Sequence, residues 1–81
     1  MDKPEATGAV LPPRLRRALE LVYSVEGVVA ARIWQWTGRV AVGVSVAHGF
    51  TQGETLRRVE AAVAHLKHGE EVWDFGLLDA A

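Results

Sequence analysis

The feature that most restricts how this chain can fold is a pair of apolar, β-branched runs, 28–36 and 39–47, with only Thr37-Gly38 between them. Two such runs separated by two residues form a tight antiparallel hairpin, because the backbone has no room for a longer excursion. With Thr37 and Gly38 as the loop, Trp36 pairs with Arg39, Trp34 with Ala41, Arg32 with Gly43, and Ala30 with Ser45. Strand alternation then sorts the side chains. One face carries Val29, Ala31, Ile33, Val40, Val42, Val44 and Val46, an aliphatic core surface. The other carries Ala30, Arg32, Trp34 and Trp36 beside Arg39, Ala41, Gly43 and Ser45.

Helices are expected on both sides of the hairpin. Pro12 and Pro13 preset φ for a helix start, Leu15, Ala18, Leu19, Val22 and Val25 recur at helical steps, and Gly27 is the expected left-handed stop. Leu21 and Tyr23 fall off that stripe, either half-buried at the helix edge or facing a partner or the N-terminal segment. Thr51-Gln52-Gly53-Glu54 has the spacing of a capping box. It opens a second helix with Leu56, Val59, Ala62, Val63 and Leu66 on its apolar side and Gly69 as its C-terminal cap. From 72 to 78, Trp73, Phe75 and Leu77 alternate with Asp74 and Gly76, which predicts a last strand with its aromatic side inward.

The order α-β-β-α-β predicts an α+β fold, a two-layer sandwich of the ferredoxin-like or metallochaperone-like kind with two helices on one face of a three-stranded sheet. No segment is left over to cover the opposite face. Residues 1–10, with Pro4 and Gly8 among polar residues, read as a flexible arm, and 11–81 as a single domain. At 81 residues, only one compact core is expected. The absence of cysteine excludes disulfides and thiolate metal sites. A net charge of -1 carries no nucleic-acid or membrane footprint, and the Met-Asp-Lys-Pro-Glu start lacks a signal-peptide core, so a cytoplasmic location is expected.

Trp34 and Trp36 are the sharpest feature, since they point together toward the uncovered face. Each indole offers on the order of 200 Å² beside the small residues Ala41, Gly43 and Ser45. Three readings stand: docking of a protein partner, cover by the N-terminal arm or the tail of the last strand, and stacking of a small molecule or base. Arg32 and Arg39 border the indoles, where a guanidinium stacks favourably. Aromatics and arginines on an open sheet also describe single-stranded nucleic-acid platforms, but the charge balance offers little for phosphates. Gly43 is expected to allow close approach of Trp side chains or of a partner backbone.

His48, His65 and His68 raise the question of zinc, with Glu70, Glu71 or Asp74 as supplementary ligands. His68 at a helix C-terminus is also favoured by the helix dipole without any ligand role. No metal site or cofactor is expected. Ser24 and Ser45 lack a His and Asp set, and no glycine-rich phosphate loop follows a strand, so an enzyme is not expected.

From Leu15 to Leu78, the helix ending in Val25-Glu26-Gly27-Val28, the hairpin with Trp36 and Gly38, the Thr51-to-Leu66 helix and the short final strand resemble the cytosolic C-terminal domain of cation-efflux (cation diffusion facilitator) transporters. The resemblance implies a metallochaperone-like domain that dimerises and regulates a membrane partner, hence a metal-responsive regulatory alternative. Where that family places His and Asp ligands, this chain has Ala31, Arg32, Phe75 and Gly76. Metal sensing is therefore not carried over. The same element order is similar to that of the alkaline-shock-protein family of small bacterial proteins, which implies an assembly role. The expectation drawn from the residues is a non-enzymatic interaction module, first a homodimer and next a complex with another protein, working through Arg32, Trp34, Trp36, Arg39, Ala41 and Gly43.

Overall fold

Chain connectivity alone requires a crossover after the hairpin, and the computed structural model, which describes residues 11–78, shows where it lands. Helix α1 (Pro13–Tyr23) leads into strand β1 (Val28–Trp36), strand β2 (Arg39–Val46), helix α2 (Gln52–Val63) with a 3-10 turn at Ala64–Leu66, and strand β3 (Val72–Leu77). The sheet order is β1-β2-β3, with β1 antiparallel and β3 parallel to β2. A parallel neighbour needs a long connection, and α2 supplies it. Both helices pack on one face, giving the two-layer α+β architecture expected from the element order. The expected arm over 1–10 lies outside the described residues.

The hairpin register is the one the two-residue loop dictates, with Trp36 opposite Arg39, Trp34 opposite Ala41, Arg32 opposite Gly43 and Ala30 opposite Ser45. Ile33, Val40, Val42 and Val44 face the helices and are buried against Leu15, Ala18 and Val22 of α1 and Val59 and Val63 of α2. Trp73 and Phe75 stand level with Val40 and Val42, so the aromatic side of β3 turns toward α2. Thr55 is the one buried polar residue among those described, and its Oγ1 donates to the Thr51 carbonyl at 2.8 Å, which satisfies the hydroxyl.

Four local expectations are corrected. Val29 is not in the core: the register shifts between Val28 and Ala30, so Val28 turns inward opposite Val46 and Val29 is left 61% exposed on a β-bulge. Strict alternation cannot foresee an inserted residue. α1 ends at Tyr23 with Ser24 as its cap, so Gly27 lies in the turn before β1 rather than closing the helix. Thr51 makes no side-chain cap bond, and Glu54 turns instead to Arg58 at 2.9 Å, one helical turn on. The α-helix is over by Val63 and the 3-10 turn by Leu66, leaving Gly69 in the 68–71 turn that the Glu71 N–H closes on the His68 carbonyl at 2.9 Å.

Gly27 has φ 98° and carries the Phe50 ring at the place a Cβ would occupy, 2.8 Å from Phe50 Cδ2. Both backbone conformation and space exclude a side chain there. Gly27→Ala is expected to cost about 2 kcal/mol, from positive-φ strain and displacement of the ring, read as a lowered urea midpoint with unchanged slope.

Candidate functional site

The sheet face turned away from the helices is assembled from alternate residues of all three strands. Pairing places Ala30, Arg32, Trp34 and Trp36 beside Arg39, Ala41, Gly43 and Ser45, and these beside Val72, Asp74, Gly76 and the chain end at Leu78. No element among the described residues lies over it.

The two indoles are held in different ways. Trp34 lies across Gly43 of the neighbouring strand, where an added Cβ would sit 3.2 Å from Trp34 Cζ3 and 2.7 Å from Leu78 Cδ2. Gly43 is therefore the floor on which the Trp34 ring and Leu78 meet, the close approach expected from a glycine inside a strand. Trp36 lies under Arg39, whose guanidinium carbon is 5.6 Å from the ring centroid. Arg39 is fixed from the other side by Asp74 of β3, with Nε and Nη2 each 2.8 Å from Oδ2. Its planar fork spans all three strands: indole, guanidinium, carboxylate. Neither Trp34 nor Trp36 stands free in water, and both are half-buried by these neighbours. Cover from the last strand is thus part of the arrangement, supplied by Leu78. Arg32 remains exposed at the rim opposite Gly43, and an added Cβ at Gly76 would meet nothing, so the face has a shallow open floor there.

Sequence reasoning missed Leu78, Asp74 and Gly76 as parts of this face. Their even-numbered alternation was visible, but the place of β3 beside β2 was not. It also missed the role of Arg14, which leaves the exposed side of α1 and grips Glu71 in front of β3. Two parallel bonds of 2.9 Å join the guanidinium to both carboxylate oxygens, and Nη1 also donates to the Leu66 carbonyl at 2.8 Å. Glu71 Oε1 further accepts the Trp73 indole N–H at 2.8 Å and the His68 backbone N–H at 3.2 Å. Bonding to Arg14, with help from Trp73 and His68, holds its carboxyl at about 2 against the burial that by itself would raise it.

The three histidines are not brought together. His48 lies in the loop before α2, whereas His65 and His68 follow its far end, and a 12-residue helix spans about 18 Å. Glu71 and Asp74, the candidate supplementary ligands, are engaged by Arg14 and Arg39. Among the described residues no group of three His, Asp or Glu is placed to hold a metal ion. Ser24 Oγ donates to the Leu21 carbonyl at 2.6 Å, a helix-end role. Tyr23, off the α1 stripe, accepts the Ala31 N–H at 3.1 Å through its phenol oxygen and so caps the outer edge of β1. Leu21 is half-buried against the core.

Compared with protein-family models, curated proteins and solved structures, the chain matches none. Among the described residues, no helix is long and apolar enough to cross a membrane.

Proposed function

We propose that this chain is a non-catalytic protein-association module whose working surface is the open sheet face centred on Trp34 and Trp36. The observation that carries the reading is the arrangement of that face. Trp34 rests against Gly43 and Leu78, and Trp36 lies under the Arg39 guanidinium that pairs with Asp74, with small residues and an open glycine floor beside them. A pre-ordered aromatic platform loses little side-chain entropy on docking, and Trp and Arg are the residues that most often anchor protein interfaces. Arg32 at the rim would set orientation rather than supply most of the affinity. The first partner is a second copy, since a sheet face can pack on itself about a two-fold axis.

The test is molar mass by light scattering over a concentration series, with tryptophan emission recorded on the same samples. The reading expects an assembly step that rises with concentration and shifts the emission to the blue. The part of the assembly made through this face is lost in Trp34→Ala/Trp36→Ala, and lost again in Ala41→Arg, which leaves both indoles in place and sets a charge at the centre of the face. An assembly that ignores Ala41→Arg, or emission that stays constant while mass grows, sinks the proposal.

A further inference from the structure

The two edges of the sheet are treated differently by the fold. On β1 the bulge at Val28–Ala30 interrupts the edge, and the Tyr23 hydroxyl takes the outward N–H of Ala31. Among the described residues, the edge of β3 has no such protection. Val72 donates to the Gly38 carbonyl and Leu78 to the Val44 carbonyl, so the even-numbered residues bond to β2, and the N–H and C=O of Trp73, Phe75 and Leu77 point away from the sheet. The strand carries neither Pro nor Lys, and no described element pairs with its outer side. Beside it, between β3 and α2, runs an open cleft of about 160 Å³ lined by Glu60, Val63, Ala64, Lys67, Trp73 and Phe75.

We infer that β3 is a homodimer edge, pairing antiparallel with β3 of a second copy about a two-fold axis at Phe75. The sequence of the strand is self-complementary in that register alone. Phe75 meets the partner's Phe75, Trp73 the partner's Leu77, Val72 the partner's Leu78, and Asp74 the partner's Gly76. Apolar residues face apolar ones and each acid faces a glycine. A slip to the next register of allowed parity, with its axis at Asp74, sets two carboxylates against each other. The outward backbone groups of Trp73, Phe75 and Leu77 exchange about six hydrogen bonds in this arrangement. The cleft adds a charge match: its lining holds one acid, Glu60, and one base, Lys67, seven residues further along the chain, and an antiparallel second copy would set Glu60 toward the partner's Lys67. Two three-stranded sheets become one continuous sheet, and the open faces of both copies become one larger face. The inference extends the association reading but rests on a different surface, so the two can fail separately.

The experiment measures sedimentation equilibrium of full-length Trp34→Ala/Trp36→Ala chain, in which outer-face docking is disabled. A dimer is expected, and adding Leu77→Pro should make it monomeric. Proline at 77 removes an N–H that points away from β2 and leaves the intramolecular ladder whole. Glu60→Lys, a surface change that leaves the strand untouched, should raise the dimer Kd by about tenfold, and Glu60→Lys/Lys67→Glu should restore it. A monomeric Trp34→Ala/Trp36→Ala chain overturns the edge pairing while leaving the outer-face reading in place. A dimer indifferent to both Leu77→Pro and Glu60→Lys overturns it as well.

Discussion

Arg14→Ala is expected to destabilise the domain by about 3 kcal/mol at neutral pH, the largest effect of any single charged residue, because it leaves the Glu71 carboxylate without its counter-ion. Glu71 has a side chain only 12% exposed and accepts from Arg14, Trp73 and the His68 backbone, so its charge cannot be re-solvated without opening the junction between α1, the 3-10 turn and β3. For a chain whose total stability is on the order of 4–12 kcal/mol, the loss is readily measured by urea unfolding. The same network makes stability depend on acid. The Glu71 carboxyl is lowered from 4.5 to about 2 in the folded protein, so the folded state holds fewer protons than the unfolded one between these values. Its stabilisation, at most about 3 kcal/mol, is complete above pH ~5 and is lost as pH falls toward 2. Glu71→Gln should therefore be much less stable than the parent at pH 7 and nearly equal to it at pH ~2. Parallel pH curves for the two chains would show that the pair contributes nothing. The exposed pairs Arg17–Glu20 and Arg58–Glu54 should each change stability by less than about 1 kcal/mol when broken.

Ile33→Ala is the second large effect, at about 3 kcal/mol, and its companion Val29→Ala should change stability by less than about 0.5 kcal/mol. The two residues lie on one strand, with the same parity and similar chemistry, so simple alternation assigns both to the core. The bulge between Val28 and Ala30 separates them. Ile33 is wholly buried opposite Val42, whereas Val29 is 61% exposed. Truncating Ile33 leaves a cavity that close-packed neighbours on α1 cannot fill. Comparable losses at both positions would place Val29 in the core after all and remove the bulge.

Much of the architecture was legible because it depends on short-range rules. The two-residue Thr37-Gly38 loop allowed only one register, so every pair from Trp36–Arg39 to Ala30–Ser45 followed from counting. The apolar stripes of 15–22 and 56–66 named the faces that meet the sheet, since helical period and burial are tied by geometry. Simple motif rules failed where another contact offered a better partner, within the same helix or across the fold. Glu54 has the spacing of a capping-box residue, yet Arg58 one turn along takes its carboxylate. Thr51 keeps its place at the helix start while its carbonyl, not its hydroxyl, engages Thr55. Arg14 reads as one more solvated cation on a basic helix start until Glu71, 57 residues away, closes on it.

The candidate surface divides in the same way. Sequence by itself determined that Trp34, Trp36, Arg32 and Arg39 share one face of a hairpin with Ala41, Gly43 and Ser45, because side chains two apart on a strand must point together. Only the tertiary structure decided what those indoles rest on. Placing β3 parallel to β2 brings Leu78 over Gly43 and Asp74 to Arg39, which turns two projecting rings into a locked platform. It also leaves the backbone of Trp73, Phe75 and Leu77 as an edge that no other described residue pairs with. Neither outcome is encoded in any single segment, because strand order is chosen by how two helices and a sheet bury their apolar faces at once. The chain as a whole, rather than any run of residues, minimises that exposed area.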